Sequence, residues 1–219
     1  MADLLLLRHG ETTWTRTRRH TGRTDVPLTD RGREQARQAA GLLAGRRIAL
    51  TLVSPLERAR HTARLAGLRA VVEEPDLHEW DYGGYEGLTS ADIKAERPGW
   101  NLWSDGVPPG DPQHPGECPQ DVGARADRVL ARVGPLLDGA GDTGDVLLVA
   151  HAHILRVLTA RRLGLPPAGG AHFRLDTGAL GVLGAEHGRP VVTAWNLTGP
   201  AVAAPTSKDR WPWPKVLQF

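Results

Sequence analysis

Three positions in the chain place a basic side chain just beyond an apolar run that reads as a buried strand. Arg8-His9 follows Leu4–Leu7, Ser54 and then Arg58 follow Ala49–Val53, and His151 follows Asp145–Ala150. In open α/β sheets, ligands bind in the crevice beyond the carboxyl ends of the strands. If these runs are parallel neighbours, two arginines and two histidines meet at one edge of the sheet. Such a cluster is unfavourable without an anion, and a phosphoryl group is its natural guest. One Arg after a strand reads as a solvated surface residue, and one His as a satisfied polar group. The joint occurrence at three strand ends is what points to a site. An imidazole attacks only when neutral, and neighbouring cations lower its pKa and keep it so. Phosphoryl transfer loads charge onto three non-bridging oxygens, which fixed cationic donors stabilise. A carboxylic acid near the mouth can protonate the leaving alkoxide, and Glu11, Glu79, Asp81 and Glu86 are candidates by position.

The elements that must hold these groups follow from periodicity. Leu4–Leu7, Ala49–Val53 and Asp145–Ala150 are short, mainly apolar runs, as expected of strands covered on both faces. Thr29 reads as the N-cap of a helix to about Leu43, with Ala36, Ala39, Ala40 and Leu43 at helical spacing. Ser54-Pro55-Leu56-Glu57 has the form of a capping box, with Ser54 as N-cap, Pro55 as first helical residue and a helix to about Ala66. Ala70–Glu73 is a short strand, Pro119 opens a helix to about Leu137, and another covers Ile154–Leu163. Two further strands are expected near Ala179–Leu183 and Val191–Trp195. From Pro75 to Gly116 the chain is dense in Gly, Pro and Trp, with one short helix around Ser90–Glu96. So long a stretch without periodicity reads as a functional insertion. Strands alternating with helices imply a single α/β domain, a mostly parallel central sheet with helices on both faces. The expected organisation is one domain over residues 1–197 with a lid-like insertion at 75–117, then an irregular Pro/Trp-rich tail at 198–219.

The 219 residues carry 27 Lys+Arg against 25 Asp+Glu, a formal charge of +2, and one cysteine. The length suits one domain that buries its own core without a disulfide or metal staple. A lone cysteine excludes an internal disulfide framework and a Cys-based zinc finger. The charge is too small to suggest a nucleic-acid coat protein. Lysine stands only at Lys94, Lys208 and Lys215, so nearly all cations are arginine, the planar phosphate fork, although genomic base composition gives the same bias. No run reaches the roughly 18 apolar residues of a membrane span. Leu4–Leu7 is too short for a signal-peptide core. The expectation is a cytoplasmic protein with neither membrane nor nucleic-acid partner.

The stretch Leu7-Arg8-His9-Gly10-Glu11-Thr12 resembles the signature of the histidine phosphatase superfamily, the phosphoglycerate mutase-like proteins. Gly22–Thr29 with Gly32 and Gln35-Ala36, then Ser54–Ala59 with Thr62-Ala63, Leu77–Gly87 and Val149–His151 match in the family's order, over about residues 4–195. The resemblance implies a phosphoglycerate mutase-like fold. It also implies His9 as the nucleophile that becomes phosphohistidine, with Arg8, Arg58 and His151 on the phosphoryl oxygens and Glu79 as proton donor. Thr21 and Gly22 match a pair that contacts phosphate or substrate. Thr15 stands where many members have Asn, and Ala152 where the family has Gly, its amide still a donor. No cofactor and no metal is expected, because the arginines supply the charge.

Other signals are set aside. Cys118 with Arg125 has six intervening residues where a cysteine-phosphatase loop needs five, and Cys118 reads as an N-cap. His151-Ala152-His153 lacks a third and fourth metal ligand at sensible spacing. No P-loop lysine motif and no nucleophile elbow is present. The leading expectation is a metal-independent phosphatase acting on a small phosphorylated substrate, a sugar phosphate or similar. The rivals are a 2,3-bisphosphoglycerate-dependent phosphoglycerate mutase and a non-catalytic phosphate-binding module. Mutases of the family carry a longer basic segment after the glutamate block. Here Ala91–Glu117 has only Lys94 and Arg97 as cations, so water is less well excluded and hydrolysis is favoured. Trp14, His20, Trp80, Trp100 and Trp103 either line the mouth, suiting a sugar or aryl ring, or pack the insertion. A homo-oligomer stays open, with the tail able to pack on a neighbouring subunit.

Overall fold

Four successive leucines cannot be hidden on one side of a strand, and Leu4–Leu7 are all buried because both faces of the sheet are covered. The computed structural model describes residues 2–139 and 144–199. In chain order its elements are β1 (Leu4–Arg8), α1 (Thr13–Arg16), α2 (Asp30–Leu42), β2 (Ile48–Val53), α3 (Glu57–Leu65) and β3 (Val72–Glu73). There follow α4 (Ser90–Glu96), α5 (Leu102–Asp105), α6 (Pro119–Leu137), β4 (Asp145–Ala150), α7 (Ala152–Arg162), β5 (Leu180–Glu186) and β6 (Arg189–Leu197). The strands form one six-stranded sheet in the order β3-β2-β4-β1-β5-β6. β1, β2, β3 and β4 run parallel, whereas β5 and β6 join as an antiparallel edge. This is the single α/β domain with a mostly parallel sheet that the sequence implies. The tail is outside the described residues from 200 onward.

Alternation along the strands divides the core into two layers. Leu4, Leu6, Leu52, Val146 and Leu148 face α6 and α7, joined by Trp80, Tyr82, Ile93, Trp100 and Leu102 from the segment after β3. Leu5, Leu7, Val53, Leu147 and Val149 face α2 and α3 through Ala39, Ala59 and Ala63. Each buried leucine contributes about 1.5–3 kcal/mol. The alanines let α2 and α3 lie close to the sheet.

Most local signals lead where expected. Thr29 caps α2 by accepting from the Gly32 N–H, and α4, α6 and β4 have the expected bounds. The capping box at Ser54 is a correction. α3 starts at Glu57, after Leu56, and the Glu57 N–H donates to the Asp25 carboxylate at 2.8 Å. Ser54 has a tertiary partner instead, described below. α7 begins at Ala152, two residues earlier than the periodicity suggested, with His151 at its N-cap.

Candidate active site

The sheet order places β4 between β2 and β1, and the register pairs Val53 with Val149 and Arg8 with Ala150. The residues just past these strands, Ser54, His151 and His9, therefore emerge side by side. The His9 N–H donates to the Ala150 carbonyl (3.0 Å), and its own carbonyl accepts from Gly178 (3.0 Å), which fixes the backbone from both sides. Beyond it, Gly10 and Gly32 touch: a Cβ on Gly10 would lie 2.2 Å from the Gly32 carbonyl oxygen. That contact seats the N-terminal turn of α2 directly against the loop after His9.

His9 is buried, and its Nδ1 lies 2.7 Å from the Gly10 carbonyl oxygen. A carbonyl only accepts, so Nδ1 carries the proton and Nε2 keeps its lone pair. Burial, then the charges of Arg58 and Arg8, hold the ring's pKa well below 6.5. The His151 ring stands 5.1 Å away between centroids, tilted by 60°. Arg58 Nε donates to His151 Nδ1 (3.2 Å), so the proton of the neutral ring is on Nε2, which meets Ser54 Oγ at 2.8 Å. His151 is likewise held neutral, by burial first and Arg58 second.

Arg58 is wholly buried; the Thr21, Gly22 and Thr24 carbonyls accept three of its four remaining N–H groups at 3.2, 2.7 and 2.9 Å, and Nη1 lies 3.6 Å from the Asp25 carboxylate. Arg8 gives one terminal N–H to the Leu175 carbonyl (2.7 Å), while its buried Nε has no acceptor. A buried guanidinium N–H without an acceptor is a group that an anionic oxygen would satisfy. Glu79, also buried, accepts from the main-chain N–H groups of Trp80 (2.9 Å), His153 (3.0 Å) and Ile154 (3.0 Å). Two of these are the otherwise unpaired donors of the first turn of α7. Burial raises the Glu79 pKa above the ordinary carboxylate value, against the pull of the three donors.

The four residues expected to touch substrate have the following partners within the chain. Thr21 and Gly22 use their carbonyls to hold Arg58, and the Gly22 N–H donates to Glu86 at 2.9 Å. Thr15 completes a capping box with Thr12: its hydroxyl accepts from the Thr12 N–H (2.8 Å) and donates to the Thr12 carbonyl (3.0 Å). Ala152 is the first residue of α7, where an N–H has no acceptor inside the helix.

The rival acids are engaged. Glu11 accepts from the Thr29 hydroxyl (2.8 Å), Asp81 pairs with Arg23 (2.7 Å), and Glu86 holds the Gly22–Thr24 loop. Cys118 is an exposed N-cap, and Arg125 is bound to Glu117 (2.7 and 2.9 Å). Trp80 is fully buried and donates to the Glu117 carbonyl, so it is packing, whereas Trp100 and Trp103 line a cavity. Sequence reasoning missed the Ser54–His151 bond and a Tyr82–His153 bond. Only the identity of His153, the second histidine after β4, marked the latter.

A sheet of this topology, carrying a neutral imidazole among guanidinium groups at its strand ends, defines an α/β enzyme of the phosphoryl-handling kind. The chain belongs to the histidine phosphatase superfamily (branch 1), whose model matches residues 4–198. It is 41% identical over 198 residues to the acid phosphatase of Mycobacterium tuberculosis, spanning 90% of this chain and 93% of that protein. The solved structure of the open reading frame Rv3214 product from Mycobacterium tuberculosis aligns with a TM-score of 0.81 at 41% identity, covering 91% of this chain and 99% of that one. A glucosyl-3-phosphoglycerate phosphatase from Mycolicibacterium vanbaalenii is 39% identical over 173 residues, 74% of this chain and 75% of that protein.

Proposed function

We propose that this enzyme is a metal-independent phosphatase, hydrolysing small phosphomonoesters such as sugar phosphates through a phosphohistidine on His9. The observation that carries the reading is the His9 tautomer, Nδ1–H on the Gly10 carbonyl, which leaves an uncharged Nε2 among Arg8, Arg58 and His151. In the first step Nε2 forms a bond to phosphorus as the ester P–O bond breaks. Protonated Glu79 gives its proton to the departing alkoxide. The unpaired Arg8 Nε–H and the fixed positive charge of Arg58 stabilise the charge that builds on the three non-bridging oxygens. In the second step the Glu79 carboxylate takes a proton from water, the water oxygen bonds to phosphorus, and the N–P bond breaks. Phosphate leaves, and His9 and Glu79 return to their starting states. His151, with Nε2–H on Ser54 and Nδ1 accepting from Arg58, holds that guanidinium in place and in this tautomer presents no donor of its own to the anion.

Relatives named as phosphatases support hydrolysis over transfer to a second sugar acid. So does the segment after Glu79, whose buried residues Ile93, Trp100 and Leu102 join the core rather than bringing cations to the site. The test is rapid quenching during turnover of p-nitrophenyl phosphate. An acid-labile, base-stable phosphoryl label is expected on wild type and none on His9→Ala, with phosphate release lost in the variant. Saturable binding without release would support a binding module. Conversion of 3-phosphoglycerate that responds to 2,3-bisphosphoglycerate and outpaces hydrolysis would make the protein a mutase.

A further inference from the structure

His153 takes no part through its side chain in the steps above, yet it is as firmly fixed as its neighbour two residues back. It lies on the first turn of α7 with Nδ1 2.6 Å from the Tyr82 hydroxyl. Burial pushes the Tyr82 phenol well above 10 and holds the His153 imidazole well below 6.5. The buried Tyr82 hydroxyl has no other hydrogen-bond partner among the described residues, so its proton goes to Nδ1 and the proton of the neutral ring is on Nε2. That Nε2–H meets no acceptor among the described residues. The ring lines a cavity of about 380 Å³ with His20, Ser90, Trp100, Asn101 and Trp103. The cavity adjoins the proton donor, because the main-chain N–H of His153 is one of the three on the Glu79 carboxylate.

We propose that His153, held in its Nε2–H form by Tyr82, is the specificity-determining residue for the leaving group, which is a neutral polyhydroxylated, sugar- or polyol-like alcohol. An unpaired N–H at the wall of a binding cavity selects for an oxygen acceptor and against a plain alkyl chain. The walls are two indoles and the imidazole of His20, which meets Trp100 edge-on at 5.7 Å and titrates at about 4, so it is neutral. Indole faces suit the C–H face of a sugar ring, and Ser90 and Asn101 add polar contacts at the edge. The one cation lining the cavity is Lys94, on an exposed position of α4; Arg156 lies behind the Trp103 ring at 4.6 Å and gives N–H groups to the Gly170 and Ala171 carbonyls, so the cavity wall itself offers a carboxylate only an exposed ammonium. This inference rests on the phosphatase reading above.

The experiment compares kcat/KM for ribose 5-phosphate and n-butyl phosphate in wild type, His153→Ala, His153→Asn and Tyr82→Phe. Both esters release an alkoxide that needs a proton, so any damage to Glu79 lowers both and cancels in the ratio. Wild type should prefer ribose 5-phosphate. The ratio should fall about tenfold in His153→Ala, mostly through KM, as expected for one lost hydrogen bond. Tyr82→Phe should lower it a few-fold, since the ring is then free to take either tautomer, and His153→Asn should recover part of it through its amide N–H. A ratio equal to wild type in His153→Ala, with both rates reduced, would leave His153 a purely structural residue and overturn the proposal. Wild-type preference for 3-phosphoglycerate over ribose 5-phosphate would overturn the neutral leaving group. If wild type hydrolysed no ester, p-nitrophenyl phosphate included, both readings would fall, a result distinct from an unchanged ratio.

Discussion

In the proposed mechanism Glu79 holds a proton when the alkoxide leaves and loses one before water attacks, and its surroundings are built from two opposed effects. Burial favours the acid, while three main-chain N–H groups, two of them from the start of α7, favour the carboxylate. The net direction is upward from the ordinary carboxylate value. His9 is displaced the other way, well below 6.5. The proposed turnover of an alkyl ester requires Glu79 protonated and His9 neutral. Activity therefore falls as pH rises through the raised Glu79 pKa, and falls again as pH drops through the depressed His9 pKa. Glu79→Gln keeps the shape of the side chain and cannot cycle a proton. We expect it to lose about 10²–10⁴-fold in kcat for alkyl phosphates and to lose the alkaline limb that Glu79 sets. The loss should be smaller for p-nitrophenyl phosphate, whose leaving group departs without a proton. A pH–rate profile for both esters reads this directly, and wild-type rates on alkyl esters in the Gln variant would remove Glu79 from the mechanism.

The loop between α1 and α2 is the element that makes Arg58 a fixed charge. Its carbonyls at Thr21, Gly22 and Thr24 hold the guanidinium, and Glu86 ties the Gly22 and Thr24 N–H groups to the far side of the cleft. Glycine is required at position 22 by close approach: a Cβ there would lie 2.6 Å from the Trp80 carbonyl oxygen and 2.7 Å from the Glu86 carboxylate. Gly22→Ala should shift the loop, cost about 1–3 kcal/mol of stability as overpacked sites do, and release Arg58 from its register. The expected signature is a lower melting temperature together with weaker inhibition by inorganic phosphate. Normal phosphate affinity at a lowered melting temperature would mean that Arg58 does not depend on the loop. The same element shows what sequence can carry. Arg8, His9, Arg58 and His151 were legible because each stands just after, or one turn into the helix after, an apolar run that announces a strand. The helix α1 that carries Thr15 was not, because it is four residues long and too short to show a period. Ser54-Pro55-Leu56-Glu57 satisfied a local rule and was overridden, since a buried imidazole N–H at the adjacent strand end needed an acceptor more than α3 needed a cap. The pairing of Tyr82 with His153 spans 71 residues, and a second histidine after β4 marks one partner without pointing to the other.

At the scale of the molecule, one end of the sheet stores several uncharged imidazoles. His9, His151 and His153 are held well below 6.5, and His20 titrates at about 4, each mainly through burial. In the unfolded chain all four titrate near 6.5. Their folded pKa values are depressed, so the stability they carry is fully present above about pH 6.5 and is lost as pH falls toward the folded values. Between those limits each histidine removes up to about 1.4 kcal/mol per pH unit. Glu79, raised above its ordinary value, acts in the opposite sense but is one group against four. The melting temperature should therefore be level from about pH 8 to 6.5 and then fall steeply toward pH 4.5. Inorganic phosphate stabilises by binding the folded state alone, and its charge beside His9 and His151 makes their protonation cheaper. Added phosphate should thus raise the melting temperature more at pH 5 than at pH 8, and His9→Asn, with no imidazole to protonate, should flatten the acid slope. A melting temperature that stays level down to pH 5 in wild type would mean that these rings accept protons in the folded state without cost, and a nucleophile already charged at that pH could not attack phosphorus.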